Sequence, residues 1–209
     1  MRMSASMMGI DELVRLLRGL RSSQLEAQQI EELLTGAVLD RASLSPYLFR
    51  RVGCYSRNLV YRNDQFEMLA LVWDAGACSP IHDHAGQECF FSVQEGCFQQ
   101  EDFELVEGGR KPGDHAVLMP VPQAMTLTPG KVDHRRPDGA LHRILNVGNS
   151  GGVSLHVYSK PIDRCLIYDR RGNCSQRDMQ YDSVQGKALR EGLFHLNPLC
   201  SGVPLTAAH

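Results

Sequence analysis

Gly76-Ala77-Cys78-Ser79-Pro80-Ile81-His82-Asp83-His84-Ala85-Gly86-Gln87-Glu88-Cys89-Phe90-Phe91-Ser92-Val93-Gln94-Glu95-Gly96 is the stretch on which the reading of this chain turns. His82 and His84 stand at i and i+2, a spacing that puts both imidazoles on one face of a β-strand. Each offers a neutral ring nitrogen of the kind that binds zinc, copper, iron or nickel. Asp83 then points to the opposite face, where a structural or solvent-facing role is expected. Around the pair the spacing is regular: Gly76, five residues, His82, one residue, His84, four residues, Cys89, six residues, Gly96. Glu88, one residue before Cys89, is the minority choice as a fourth ligand. Further on, Pro137-x-Gly139-x-x-His142-x-x-x-Asn146 supplies a third histidine.

Three neutral histidines bind a divalent ion without cancelling its charge. On one face of an octahedral ion they leave three positions open, enough for a bidentate substrate and dioxygen together. Zinc in the same site suits Lewis-acid chemistry at an open position. The residue types leave iron and zinc both open. His115, His134, His195 and His209 lack such a setting and read as surface or hydrogen-bonded residues.

Outside these segments, a chain of 209 residues suits one domain, 1–209, with a sizeable core. Hydrophobic content of 43% and charged content of 22% are those of an ordinary globular protein. The formal net charge of -2 argues against a nucleic-acid partner, because phosphate recognition leaves a basic footprint. No run approaches the roughly 20 apolar residues of a membrane span, and the N-terminal residues lack a signal-peptide centre. Seven cysteines, an odd number with no CxxC pair, point to free thiols in a reducing, cytoplasmic setting. A monomer is expected.

The first 45 residues read as helical. Ile10, Leu13, Val14, Leu16, Leu17 and Leu20 recur at helical spacing, with Asp11 and Glu12 suited to the first turn and Arg18 and Arg21 to the last. Ser22 or Ser23 suits the cap of a second helix carrying Leu25, Leu33 and Leu34. These helices are expected on the outside of a β-structure. From about Tyr55 the pattern becomes short apolar or alternating runs, predicting strands at 55–61, 66–73, 88–93, 97–105, 115–119, 124–128, 141–147, 153–159 and 165–168. Gly and Pro separate them, as at Lys111-Pro112-Gly113 and Gly151-Gly152. Many short strands without intervening helices read as an antiparallel barrel or sandwich.

The two histidine segments resemble the two sequence motifs of the cupin superfamily, with Cys89 where most cupins carry a glutamate. The fold class implied is all-β: a small antiparallel barrel or jelly roll with N-terminal helices. More narrowly, the chain resembles cysteine dioxygenase from about Tyr55 to Met179. The resemblance is carried by Tyr55-Ser56-Arg57-Asn58-Leu59-Val60, Trp73, Ser79, Ile81-His82-Asp83-His84, Cys89-Phe90, Leu141-His142-Arg143 and Ser154-Leu155-His156-Val157-Tyr158-Ser159. It implies Fe(II), dioxygen and L-cysteine, with cysteine sulfinic acid as product. By the same resemblance His82, His84 and His142 are the iron ligands. Arg57 grips the substrate carboxylate with Tyr55 beside it. Tyr158 faces substrate and oxygen, and Cys89 forms a thioether with it. His156 orients the tyrosine and Ser154 extends that chain, while Trp73, Cys165 and Met179 stand around the pocket.

Ser154, His156 and Tyr158 alternate on one strand face, so all three can point inward together. A guanidinium takes a carboxylate through two parallel hydrogen bonds. Related dioxygenases of 3-mercaptopropionate or other small thiols usually have glutamine at the place of Arg57, which weighs against that alternative. A non-catalytic metal-binding cupin would not require Tyr158, His156 and Cys89. One departure stands out: after Ser159 the family usually has proline, often in a cis bond, where this chain has Lys160 and then Pro161. That puts the loop geometry, and the fine placement of Tyr158, in question, and makes Lys160 an extra cation to look for at the pocket.

Overall fold

The computed structural model describes residues 7–22, 27–137 and 140–195. Ile10–Ser22 forms the first helix, with Asp11 and Glu12 in its first turn, where the dipole favours acids. Its apolar stripe buries Ile10, Leu13 and Leu17. The second helix, Ala27–Gly36, buries Ile30 and Leu34. Ser23 and Leu25, expected at its start, lie outside the described residues.

Every strand expected from the sequence is present with its ends shifted by a few residues, and the strands build two seven-stranded sheets. One sheet runs Val132–Arg135, Cys89–Glu95, Gly152–Tyr158, Glu67–Trp73, Tyr55–Arg62, Ser183–Val184, Lys187–Ala188. The other runs Met125–Leu127, Phe98–Gly108, Leu141–Asn146, Ile81–His82, Arg164–Tyr168, Cys174–Asp178, with Ala116–Pro120 beside Phe98–Gly108. Val132–Arg135, Cys174–Asp178 and Ser183–Val184 were not among the expected strands, because each is short or mostly polar.

Period-two alternation sorts the side chains of the first sheet into two clusters. Met68, Ala70, Val72, Leu155 and Val157 face outward and pack under the helix residues Leu13, Leu17, Ile30 and Leu34. Leu69, Leu71, Trp73 and Tyr158 face inward with Phe91, Phe98 and Ile144. Glu67–Trp73 and Gly152–Tyr158 are therefore buried on both faces. The helices pack on the outer face of this sheet, and its inner face turns to the space between the sheets. Gly76 and Gly96, the glycines that frame the histidine segment, have φ of 72° and 93°. That region favours glycine, and a Cβ on Gly96 would meet Gly152 Cα at 3.0 Å.

Six cysteines (54, 78, 89, 97, 165 and 174) are free thiols, as expected, and Cys200 lies outside the described residues. Among the described residues no helix is long and apolar enough to cross a membrane.

Leu13 is fully buried between helix and sheet, on the side of the sheet away from the histidines. Leu13→Ala is expected to lower stability by about 2–5 kcal/mol, as cavity-forming core substitutions do. Urea unfolding measures this, and metal content per folded molecule is expected to stay at the level of the unsubstituted protein.

Candidate metal centre

His82 lies at the end of the two-residue strand Ile81–His82, and its direct cross-strand partner is His142 on Leu141–Asn146. Residues opposite one another in antiparallel strands point to the same face, so the two rings meet. His84 comes after the strand has ended, in a turn where Ala85 and Gly86 take positive φ of 51° and 73°. The expected strand face therefore accounts for His82 but not for His84, which the turn brings round. One ligating nitrogen from each of the three histidines lies within 4.8 Å of the others. His142 Nε2 and His84 Nε2 stand 3.1 Å apart. Two nitrogens bound to one ion at about 2.1 Å, at right angles, would stand about 3 Å apart, so this spacing fits ligands of a shared metal.

Backbone geometry fixes the first ring. Ser79 Oγ accepts from Ile144 N at 2.9 Å, tying the Ser79-Pro80 segment to the Leu141–Asn146 strand. Pro80 O lies 2.9 Å from His82 Nδ1. A ring nitrogen facing a carbonyl must carry the proton, which leaves His82 Nε2 as the free ligand atom. Burial pushes the imidazole pKa of His82 below its ordinary value, and pushes those of His84 and His142 well below it, helped in the latter two by the His82 charge. All three rings are thus neutral, the form that binds metal.

Asp83, expected on the opposite face, has a structural role: its Oδ1 accepts from Leu166 N at 2.8 Å. That bond anchors the histidine segment to the Arg164–Tyr168 strand. Glu88 is not among the three converging groups and faces His134 Nε2 at 3.5 Å. His134 stacks on Phe90 with ring centroids 4.3 Å apart.

A line of polar groups approaches the histidines from the Gly152–Tyr158 strand. Trp73 Nε1 donates to Ser154 Oγ at 2.9 Å, and Ser154 Oγ lies 3.0 Å from His156 Nε2. His156 Nδ1, the other ring nitrogen, lies 3.5 Å from Tyr158 OH and completes the line. The Tyr158 ring is 6.0 Å from that of His84. Burial holds its phenol well above the ordinary pKa, with Cys89 adding to the rise. Cys89 is directly opposite Tyr158 on the neighbouring strand, and burial also raises its thiol.

Arg57, Tyr55 and Tyr158 line the same cavity as the histidines. Tyr55 stacks on Trp73 at 4.6 Å. Arg57 is buried; its Nε and Nη2 have no hydrogen-bond partner among the described residues. Cys165 Sγ and Met179 Sδ, 3.3 Å apart, close the wall, and burial pushes the Cys165 thiol up to about 11. Lys160 is exposed and does not line the cavity, and the bond before it is not cis. The inner chamber has a volume of about 40 Å³, which suits a small molecule.

Two acids escaped the sequence reading. Glu67, fully buried, stands 3.8 Å from Arg57 Nη2 and 3.7 Å from Arg62 Nη1. A charged residue inside the apolar run 66–73 was the available signal. Asp182 is also buried and accepts from Arg57 N at 2.8 Å. Nothing in its polar surroundings distinguished it.

Comparison with known proteins agrees with this geometry. A family model, cysteine dioxygenase type I, matches residues 1–171. Cysteine dioxygenase type 1 of Rattus norvegicus is 28% identical over 179 residues, spanning 84% of this chain and 86% of the relative. That of Danio rerio is 32% identical over 123 residues, spanning 56% and 57%. Among solved structures, a Klebsiella pneumoniae protein with a double-stranded beta-helix domain aligns at TM-score 0.42 and 14% identity, covering 66% of this chain and 95% of that one. A sugar phosphate isomerase from a cupin superfamily, of Silicibacter pomeroyi, aligns at TM-score 0.42 and 16% identity, covering 72% and 86%. With the two seven-stranded sheets, the converging histidines and the match over most of its length, the chain belongs to the cysteine dioxygenase type I family.

Proposed function

We propose that this protein is an Fe(II)-dependent dioxygenase that converts L-cysteine and dioxygen to cysteine sulfinic acid. The observation that carries the reading is the pairing, in one cavity, of the three converging histidines with a buried guanidinium whose Nε and Nη2 lack partners. Iron held by His82, His84 and His142 would supply the centre at which thiol and dioxygen react, transferring both oxygen atoms to sulfur.

The remaining chemistry belongs to the side chains. Nε and Nη2 are adjacent donors on one edge of the guanidinium, the pair a carboxylate takes bidentately. Arg57 thereby orients the amino acid with its thiol toward the histidines, and Glu67, 3.8 Å from Nη2, balances the charge of the guanidinium. Tyr55 fills the space beside it. Tyr158 keeps its proton at neutral pH because burial raises its pKa, and so presents an O–H donor to the reacting groups. The Trp73–Ser154–His156 line holds that hydroxyl in place. Cys89 faces Tyr158 across the strand pair, which suits a thioether between the two that would fix the ring. Cys165, Met179 and the aromatic wall limit water around the thiol.

His142→Ala is expected to abolish tight iron binding and cysteine-dependent oxygen uptake while the circular dichroism spectrum stays native. Full activity with normal iron content in that variant would reject the ligand assignment.

Arg57→Gln is expected to reduce kcat/KM for L-cysteine by roughly ten- to a hundredfold, the scale of a charged hydrogen bond of about 1.5–3 kcal/mol. Cysteamine, which has no carboxylate, is expected to lose far less. Equal losses for both substrates would rule out carboxylate recognition by Arg57.

After turnover with iron, oxygen and cysteine, the intact mass is expected to fall by two hydrogens, which leave as Cys89 Sγ bonds to the Tyr158 ring and dioxygen accepts the electrons. Peptide mapping then finds the two residues in one linked species. Separate, unmodified peptides after many turnovers would exclude the bond and leave the dioxygenase reading intact.

A further inference from the structure

A larger cavity of about 800 Å³ shares Tyr55, Arg57, Pro80, Ile167, Arg177 and Met179 with the small histidine chamber and so adjoins it as an entrance. Four arginines line that entrance, Arg51, Arg57, Arg177 and Arg190, against two aspartates, Asp178 and Asp182. The excess is positive in a chain whose net charge is -2. The aspartates are already engaged. Asp182 faces Arg51 at 3.5 Å and Arg190 at 3.7 Å. Asp178 is held by Arg164 at 2.9 Å.

Strand register separates Arg177 from those pairs. Its cross-strand partner is Cys165, a wall residue of the inner chamber, so Arg177 lies on the chamber face of Cys174–Asp178. Its neighbour Asp178 also lines the outer cavity but is paired with Arg164. Among the described residues Arg177 takes part in no ion pair. It lines both chambers. Its charge also acts on His82, Tyr55 and Cys165. A cation without an ion-pair partner on the lining of both cavities places a positive field along the path of entry. Arg57 differs: it is buried and backed by Glu67.

We propose that Arg177 is a specificity-determining residue of this site, an entrance cation that grades incoming small thiols by net charge and favours those bearing a carboxylate. The inference rests on the proposed thiol dioxygenase activity. It assigns Arg177 a task separate from that of Arg57: Arg57 grips the carboxylate inside, whereas Arg177 acts on the charge of the whole molecule as it passes and remains beside it once bound.

The test uses the iron-loaded full chain and its Arg177→Gln and Arg177→Lys variants, both exposed-site changes. Three thiols of graded charge serve as probes: 3-mercaptopropionate (anion), L-cysteine (zwitterion) and cysteamine (cation). Steady-state rates are measured at low and high ionic strength, and binding of 3-mercaptopropionate by calorimetry without oxygen. Arg177→Gln is expected to lower kcat/KM for 3-mercaptopropionate about three- to tenfold, through KM with kcat little changed. The loss is smaller for L-cysteine and absent for cysteamine. High salt shrinks the difference between wild type and Arg177→Gln, and Arg177→Lys restores most of it. Equal losses for all three thiols, no rescue by lysine, or an unchanged salt dependence would overturn the proposal. If wild-type protein oxidises none of the thiols, the dioxygenase reading fails and calorimetry alone decides. Weaker binding to Arg177→Gln, recovered in Arg177→Lys, then sustains charge selection, and equal binding ends it.

Discussion

The pairing of His142 with His82 across two antiparallel strands is the constraint on which the site depends. Side chains in a strand alternate with period two, so a slip of one residue would carry His142 to the other face and bring Arg143 or Leu141 to the centre. The register is held on both sides. Ser79 bonds Ile144 through both backbone and hydroxyl, and the Phe98–Gly108 strand pairs with Leu141–Asn146 along its whole length. Asp83 adds a third hold through Leu166. The geometry of the histidines is thus a product of the sheet, apart from the turn that brings His84 into place.

The second organising element is Gly152–Tyr158, buried along its full length. Its outward residues, Leu155 and Val157, carry the helical layer, and its inward residues, Ser154, His156 and Tyr158, carry the polar line toward the histidines. Two hydrogen-bonded neighbours, Glu67–Trp73 and Cys89–Glu95, supply Trp73 and Cys89 to the same line. Tertiary packing on one face and chemistry on the other are therefore separated by a single residue step.

Much of this was legible in the sequence because it is periodic or has fixed spacing. The His82 and His142 segments, the inward triplet 154, 156, 158 and the helical stripe from Ile10 each declare themselves through a repeat of about two or 3.6 residues. Gly76 and Gly96 mark backbone turns that favour glycine. What could not be read has no such repeat. His84 is brought in by a turn after the strand ends, so the i, i+2 argument reached the right residue by an incomplete route. Cys174–Asp178 has no apolar alternation, so neither the strand nor Arg177 was singled out. Asp182 accepts from the backbone amide of Arg57, 125 residues distant in sequence, a contact that only the fold creates. Glu67 did leave a trace, a lone acid in an apolar run, whose meaning became clear only with Arg57 and Arg62 beside it.

The polar strand Cys174–Asp178 lies at the end of its sheet, with only Arg164–Tyr168 as a neighbour. The histidines and Tyr158 sit among core residues where even a change of one methylene is felt. Residues on the terminal strand make few such packing contacts, and Ser175, Gln176, Arg177 and Asp178 are exposed. Substitutions there cost little folding stability. The fold thus separates a packed interior, which admits little change, from an exposed terminal strand that can vary while the histidine geometry stays as it is.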